Sequence, residues 1–305
     1  MALRVLVTDG MDASAVQSLR DAGFAVTEQF YAPEELGKAL RDFDAVVVRS
    51  ATKVRKIHID EALETGRLKL IVRGGVGTDN IDVAYAEEKG IAVRNTPNAS
   101  SNSVAELALG QMFSCARFLS VAGETMRAGK WEKKAYGKGV ELRGKTLGVI
   151  GYGRIGKRLG DMAQALGMQV LAYDVRRVPE WESDTMHYAE LDEIFARSDF
   201  MSLHTPAIGD KPLIDAEAIG KMKDGAILIN TSRGSNVDEE ALLQALNSGK
   251  LRAAGLDVWA EEPPRNEALY RHPKVSCTPH IGAATLEAQA RVGAEVVSVI
   301  QKFFA

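Results

Sequence analysis

The stretch 147–157, LGVIGYGRIGK, decides the fold. A β-branched apolar run passes through Gly151, Gly153 and Gly156 into residues with helical spacing, so that strand, turn and helix follow in order. In such a turn the first glycine permits the tight bend, the second lets a pyrophosphate approach the backbone, and the third brings helix and strand close. Unpaired N–H groups at the helix start, around Arg154 and Ile155, would face the phosphates. A GxGxxG alone is a weak signal. Here an acid, Asp174, closes the next run, QVLAYD, about 20 residues on, where a carboxylate can accept hydrogen bonds from an adenosine ribose. Strand, turn, helix and acid together favour dinucleotide binding over a glycine turn in an ordinary α/β fold. Asp174 would repel a 2′-phosphate and so favour NAD over NADP, although Arg176 and Arg177 stand close enough to soften that preference.

This turn begins halfway along a chain of 305 residues, which is longer than one hydrophobic core usually grows, so two domains are expected. Before it, short β-branched runs at 4–9, 25–30, 45–50, 68–75 and 91–97 alternate with helical patterns at 14–22, 33–41, 58–63 and 83–89. That alternation predicts a parallel sheet wound with helices. A second series, at 146–151, 169–174, 198–204, 225–232, 253–258 and 275–280, gives six strands of a doubly wound dinucleotide fold. Between the halves, 100–131 reads as one long bridging helix. Ser101 or Ser103 would cap it, with Glu106 three residues after Ser103 as in a capping box. The tail from Thr285 is again apolar-periodic, and the expectation is that it crosses back to the first half.

Composition narrows the partners. The chain has 38 basic and 41 acidic residues and a net charge of −3, with no Lys/Arg run long enough for a nucleic-acid or membrane patch. Small molecules are therefore the expected partners. Cys115 and Cys277 lack metal-ligand spacing and read as reduced packing residues, without a structural metal. No run approaches the roughly 18 apolar residues of a membrane span, and MALRVLVTDG enters a strand pattern directly, so a cytoplasmic protein is expected.

In an open parallel sheet ligands bind beyond the carboxyl ends of the strands. Arg233 ends LINTSRG, Glu262 follows in GLDVWAEEPP, and His280 ends CTPHIG. Hydride transfer to a ketone needs a cation to orient the substrate and a proton donor for the oxygen that becomes negative. A guanidinium binds a carboxylate in a bidentate way, and an imidazole gives or takes a proton near neutrality. Glu262, bonded to the imidazole, would fix its tautomer and favour its charged form. Together the three would reduce a 2-oxo acid or oxidise a 2-hydroxy acid. His204, Thr205 and Pro206 in SLHTP are placed beside the cofactor, as are Thr231, Ser232 and Asp257. Asp257 could instead be the partner of the histidine, although a residue within a strand more readily orients backbone or modulates the site.

The motifs VVVRSATKV, RGGVGTDNID, NTPNASSNSVAE, GKTLGVIGYGRIGK, INTSRG, AAGLDVWAEEPP and TPHIGAAT, spread over nearly the whole chain, resemble those of the D-2-hydroxyacid dehydrogenase family, most closely its phosphoglycerate-oxidising branch. The family's catalytic Arg, Glu and His fall on Arg233, Glu262 and His280. The resemblance implies an α/β protein in which a dinucleotide-binding Rossmann domain, 99–284, is inserted into a flavodoxin-like substrate domain made of 1–98 and 285–305. It implies a homodimer through the cofactor domain, with 100–145 at the interface, and the short form of the branch, without an appended regulatory domain or control by serine. Phosphate binding would fall to Arg49, Lys53 and Arg73, with Ser50, Gly74, Gly75, Val76 and Asn98 also facing the substrate, for a role in serine biosynthesis. Hydroxypyruvate, glyoxylate and sulfolactate-type acids remain open as substrates. Formate is disfavoured because that branch pairs its histidine with Gln, and an NAD-responsive binding protein is the alternative outside catalysis.

Overall fold

A computed structural model describes residues 2–305 other than Ile208 and Asp210. Two compact units emerge, one of 1–100 with 283–305 and one of 101–282, their limits two residues from the expected ones. With elements numbered along the chain, the first unit alternates β1 (Arg4–Val7), α1 (Ala13–Asp21), β2 (Ala25–Glu28), α2 (Pro33–Leu40), β3 (Ala45–Val48), α3 (Lys56–Leu63), β4 (Leu70–Arg73), α4 (Val83–Glu88) and β5 (Ala92–Asn95). Its sheet runs β2-β1-β3-β4-β5, all parallel. The central β3, AVVV, is buried at every position, as a strand covered on both faces must be. The order reverses between β1 and β3, which opens the crevice where their following loops diverge.

The last helix, α12 (Leu286–Phe304), belongs to this unit. Thr285 caps it by accepting from the Ala288 N–H at 3.1 Å. Val292, Val296 and Ile300 recur every four residues and bury one stripe among Val5, Val7, Leu19 and Leu70. Gly293 is needed there, since a Cβ would stand 2.6 Å from that of Ala15 on α1.

The second unit holds α5 (Ser101–Arg117), α6 (Leu119–Arg127), β6 (Thr146–Ile150), α7 (Arg154–Ala165), β7 (Gln169–Tyr173), β8 (Met186–Tyr188), α8 (Leu191–Arg197) and β9 (Phe200–Leu203), then α9 (Ala216–Lys221), β10 (Ala226–Asn230), α10 (Glu239–Ser248), β11 (Leu251–Leu256), α11 (Glu267–Tyr270) and β12 (Val275–Cys277). The parallel sheet runs β12-β11-β10-β9-β6-β7-β8. The edge strand β8 is absent from the sequence reading. It has three residues, MHY, too few to show a period, and exists through pairing with β7.

Three other expectations need correction. The long bridging helix is two helices, bent by 67° where Phe118 takes a left-handed φ of 60°. No Gly or Pro announces the break; the Phe118 ring lies 5.9 Å from Tyr136 and under the Arg252 guanidinium, contacts formed only in the folded chain. The capping box is not built, because α5 already starts at Ser101 and the Glu106 carboxylate accepts instead from Asn102 one turn earlier. Cys115 is buried, but Cys277 is exposed rather than packed. No single helix among the described residues is long and apolar enough to cross a membrane.

Candidate active site

The glycine turn has the shape a dinucleotide needs. Gly151 has φ +93°, and a Cβ there would stand 2.7 Å from the His204 carbonyl, because β6 and β9 are neighbours and their ends meet. A Cβ on Gly156 would fall 2.1 Å from the Gly151 oxygen, so α7 packs onto the turn only with glycine at that position. Above Gly153 no atom of the described residues lies within 4 Å of the place a Cβ would take. This glycine also stands at the N-cap of α7 without a side-chain cap, leaving the amides that follow, from Arg154 and Ile155 onward, to a ligand. These residues fit a bound dinucleotide.

Asp174 leaves the end of β7 and accepts a hydrogen bond from Arg176 N at 2.9 Å. Arg177 is drawn off to Glu190 and lies over the Tyr188 ring. His204 bonds Ser202 Oγ through Nε2 at 2.9 Å, while its Nδ1 is buried without a partner among the described residues. Burial pushes its pKa down to about 3, so the ring stays neutral. Thr205 and Pro206 are tied to the end of β10 by Asn236, whose amide donates toward Thr205 O, Thr205 Oγ1, Pro206 O and Ser232 Oγ at 3.2 Å each. Thr231 and Ser232 are buried, with the Ser232 hydroxyl given to Asn230 Oδ1.

Arg233, Glu262 and His280 follow three adjacent strands, β10, β11 and β12. Asn230 shapes the first loop by accepting from Ser232 N at 3.0 Å and donating to Arg233 O at 2.8 Å. Gly234 lets the β10 and β11 loops touch, since a Cβ there would meet the Trp259 carbonyl carbon at 1.9 Å. Glu262 Oε2 lies 2.8 Å from His280 Nδ1, and its Oε1 accepts from Trp259 N at 3.4 Å. That bond places the Nδ1 proton toward the acid and turns Nε2 outward. The Glu262 bond lifts the His280 pKa above its ordinary value against the opposing effect of burial. Burial pushes Glu262 up, but the His280 bond and charge outweigh it and hold the carboxyl below its usual range. Arg233 is near enough to act on both charges. Both side chains of the pair remain about 40% exposed, at 41% and 40%, and thus reachable by a small molecule.

His280 itself carries a left-handed φ of 55°, which costs a non-glycine residue about 1–2 kcal/mol. Asp257, expected beside the cofactor, is only 1% exposed, and its carboxylate is turned to the loop carrying His280.

The second unit thus carries an acid, a glycine turn and a guanidinium–carboxylate–imidazole group along one sheet edge. The matching family model, over residues 109–282, is "D-isomer specific 2-hydroxyacid dehydrogenase, NAD binding domain". The chain belongs to that family. This dehydrogenase uses NAD. It is 49% identical to a hydroxypyruvate reductase of Thermotoga maritima, over 98% of this chain and 97% of that one. It is 43% identical to the D-3-phosphoglycerate dehydrogenase of Methanocaldococcus jannaschii, over 98% of this chain but only 57% of that longer protein. Among solved structures, a D-lactate dehydrogenase of Aquifex aeolicus with NAD and lactic acid superposes with a TM-score of 0.85 at 30% identity, over 98% of this chain and 95% of that one.

The substrate-side residues expected in the dehydrogenase lie in the first unit. Arg49 and Arg73 end the neighbouring strands β3 and β4. Arg73 Nη2 donates to Ser50 Oγ at 3.2 Å and Nη1 to Gly74 O at 3.3 Å, with its guanidinium folded over Gly75, where a Cβ would stand 1.3 Å away. Lys53 is exposed, and Val76 is 37% exposed. Asn98 is directed instead to Glu295 on α12, 3.1 Å away. Sequence reasoning missed the residues that hold this loop. Asp9, at the end of β1, accepts from Arg49 N at 2.6 Å, Thr52 N at 3.0 Å and Thr52 Oγ1 at 2.5 Å. Asn80 donates to Arg49 O and Thr52 O at 2.7 Å each. The signal was available, since Asp9 ends its strand as Asp174 does.

Proposed function

We propose that the dehydrogenase interconverts 3-phosphoglycerate and 3-phosphohydroxypyruvate, a reaction that would feed serine biosynthesis. The observation carrying this reading is the pair of arginines at the ends of β3 and β4, with Ser50 beside them on a loop that Asp9 and Asn80 brace from two sides. Guanidinium groups on a fixed loop suit a phosphate. A second reading, reduction of unphosphorylated hydroxypyruvate, is favoured by the near full-length likeness to the Thermotoga protein and by Arg73 already bonding Ser50 and Gly74.

NAD, when bound, takes or gives the hydride. Arg233 holds the substrate carboxylate and polarises the adjacent carbonyl. His280, charged by its contact with Glu262, gives a proton from Nε2 to the oxygen that becomes negative in reduction and takes it back in oxidation.

The experiment is a comparison of kcat/KM for 3-phosphoglycerate with that for glycerate, before and after Arg49→Ala. The phosphorylated acid should be preferred and should lose about tenfold or more, the scale of one charge-assisted contact, while glycerate changes little. Equal losses would remove Arg49 from phosphate binding, and better turnover of hydroxypyruvate than of its phosphate would support the second reading.

Cofactor choice rests on Asp174. In Asp174→Ala the ratio of kcat/KM with NADP to that with NAD should rise, as the charge that repels a 2′-phosphate is gone and Arg176 stays in place. An unaltered ratio would remove the ribose contact.

A second copy is proposed to cover α6. None of its residues is buried, Leu119 and Met126 are 56% and 54% exposed, and Trp131 just beyond is 78% exposed. Light scattering should report a dimer that Met126→Glu shifts toward monomer; a monomeric wild type would end the idea.

A further inference from the structure

The geometry points to Asp9 as the residue that positions Arg49, through the backbone of the loop that follows β3. This rests on the reading of Arg49 as a substrate-binding arginine and adds what sets its direction. Parallel pairing of β1 with β3 brings Val7 opposite Val47, so the chain leaving β1 at Asp9 runs beside the chain leaving β3 at Arg49. Asp9 Oδ2 accepts from Arg49 N at 2.6 Å and from Thr52 N at 3.0 Å, and Oδ1 accepts from Thr52 Oγ1 at 2.5 Å. One carboxylate therefore fixes both ends of the segment 49–52.

The other side of the same segment is closed by Asn80. Its amide donates to Arg49 O and to Thr52 O at 2.7 Å each, so residues 49 and 52 both have their N–H held by Asp9 and their C=O held by Asn80. Asn80 is itself fixed, since its carbonyl accepts from Val54 N at 2.8 Å where Val54 pairs with Ile81. Thr52 is buried, and its hydroxyl depends on Asp9 for an acceptor. The Arg49 side chain is left out of this frame. No hydrogen bond or ion pair joins its guanidinium to any of the described residues, Asp9 included, whereas Arg73 on the next strand bonds Ser50 and Gly74.

A backbone held at both ends with an uncommitted guanidinium suits recognition of an anion, because the charge is aimed before the ligand arrives and less conformational freedom is lost on binding. Removing the Asp9 carboxylate leaves the N–H groups of Arg49 and Thr52 and the Thr52 hydroxyl without their acceptor, and only the Asn80 side still holds the segment. Substrate affinity then falls through Arg49, while the proton transfer proposed for His280 is untouched. A residue that only stabilised the fold would act on kcat and KM together. Its effect would also multiply that of Arg49→Ala instead of merging with it.

The test is a double-mutant cycle on the KM for 3-phosphohydroxypyruvate at saturating NADH, in wild type, Asp9→Ala, Arg49→Ala and the double variant. Asp9→Ala should raise KM about tenfold with kcat within about threefold, and adding it to Arg49→Ala should raise KM by less than about threefold more. Asp9→Asn should bring KM back to within about threefold of wild type, because its amide oxygen accepts from the two backbone N–H groups while its NH2 faces the Thr52 hydroxyl. An unchanged KM in Asp9→Ala, losses that multiply in the double variant, or an Asp9→Asn no better than Asp9→Ala would overturn the proposal while Arg49→Ala keeps its own effect. A silent Arg49→Ala would overturn the phosphate reading and the positioning of Arg49 with it. Turnover of hydroxypyruvate but not of its phosphate would overturn the phosphate reading alone, and the same cycle on the KM for hydroxypyruvate then decides on Asp9. If Asp9→Ala does not fold, Thr52→Val decides: it removes one of the three donors and should raise KM in the same direction by less, with no change counting against the proposal.

Discussion

Turnover of His280→Ala is expected to fall about 10²- to 10⁴-fold, the range that general acid-base catalysis supplies, while NAD still binds. The glycine turn and Asp174 follow β6 and β7, whereas His280 follows β12 at the far edge of the same sheet, so removal of the imidazole leaves the nucleotide-facing backbone intact. Rates with NADH and a 2-oxo acid, with Kd for NADH from fluorescence, separate the two properties. Unchanged turnover would remove His280 from the chemistry; loss of NADH binding of the same size would make the residue structural. The pair with Glu262 also has a pH signature in stability. Because the folded state raises the His280 pKa, that part of the stabilisation is complete below about 6.5 and is lost as pH rises through the raised value. Glu262 is held below its usual 4.5, so its part is present above that value and is lost as pH falls through the depressed one.

Gly156→Ala should weaken both the fold and the cofactor site. A methyl group there would sit 2.1 Å from the Gly151 oxygen and 2.9 Å from Val149 Cγ1, and the first of these is backbone that cannot turn aside. Helix α7 must move away from β6, at a cost of about 1–3 kcal/mol for overpacking, possible only with displacement of the amides that face the phosphates. Thermal unfolding should drop by several degrees and the Kd for NAD should rise at least about tenfold. Gly153→Ala is the control. Among the described residues nothing lies within 4 Å of a Cβ on Gly153, so stability should hold while NAD binding suffers. Equal stability of Gly156→Ala and wild type would contradict the close packing of α7.

Much of this was legible in the sequence because local pattern and global fold agree. Each expected strand of both sheets forms, since parallel strands buried on both faces read as continuous apolar runs such as AVVV at 45–48. The strand-end rule also singled out Arg233, Glu262 and His280 as candidates, and the sheet order makes the strands they follow neighbours. What stayed hidden depends on tertiary contact. The break at Phe118 has no glycine to announce it, and β8 has no period. The grip of Asp9 and Asn80 on Arg49 and Thr52 depends on the pairing of β1 with β3, which brings the ends of those strands together.

The chemistry proposed for this dehydrogenase reduces to an imidazolium kept charged chiefly by its hydrogen bond to Glu262. Its most direct measurement is the pH dependence of kcat/KM for reduction of hydroxypyruvate at saturating NADH, in wild type and in Glu262→Gln. Activity in the wild type should decline through an apparent pKa above 6.5 as the pH rises, because the imidazole loses the proton it must give, and in Glu262→Gln the decline should move to lower pH. An alkaline limb at the same pH in both proteins would contradict the pairing of Glu262 with His280 as the source of the proton.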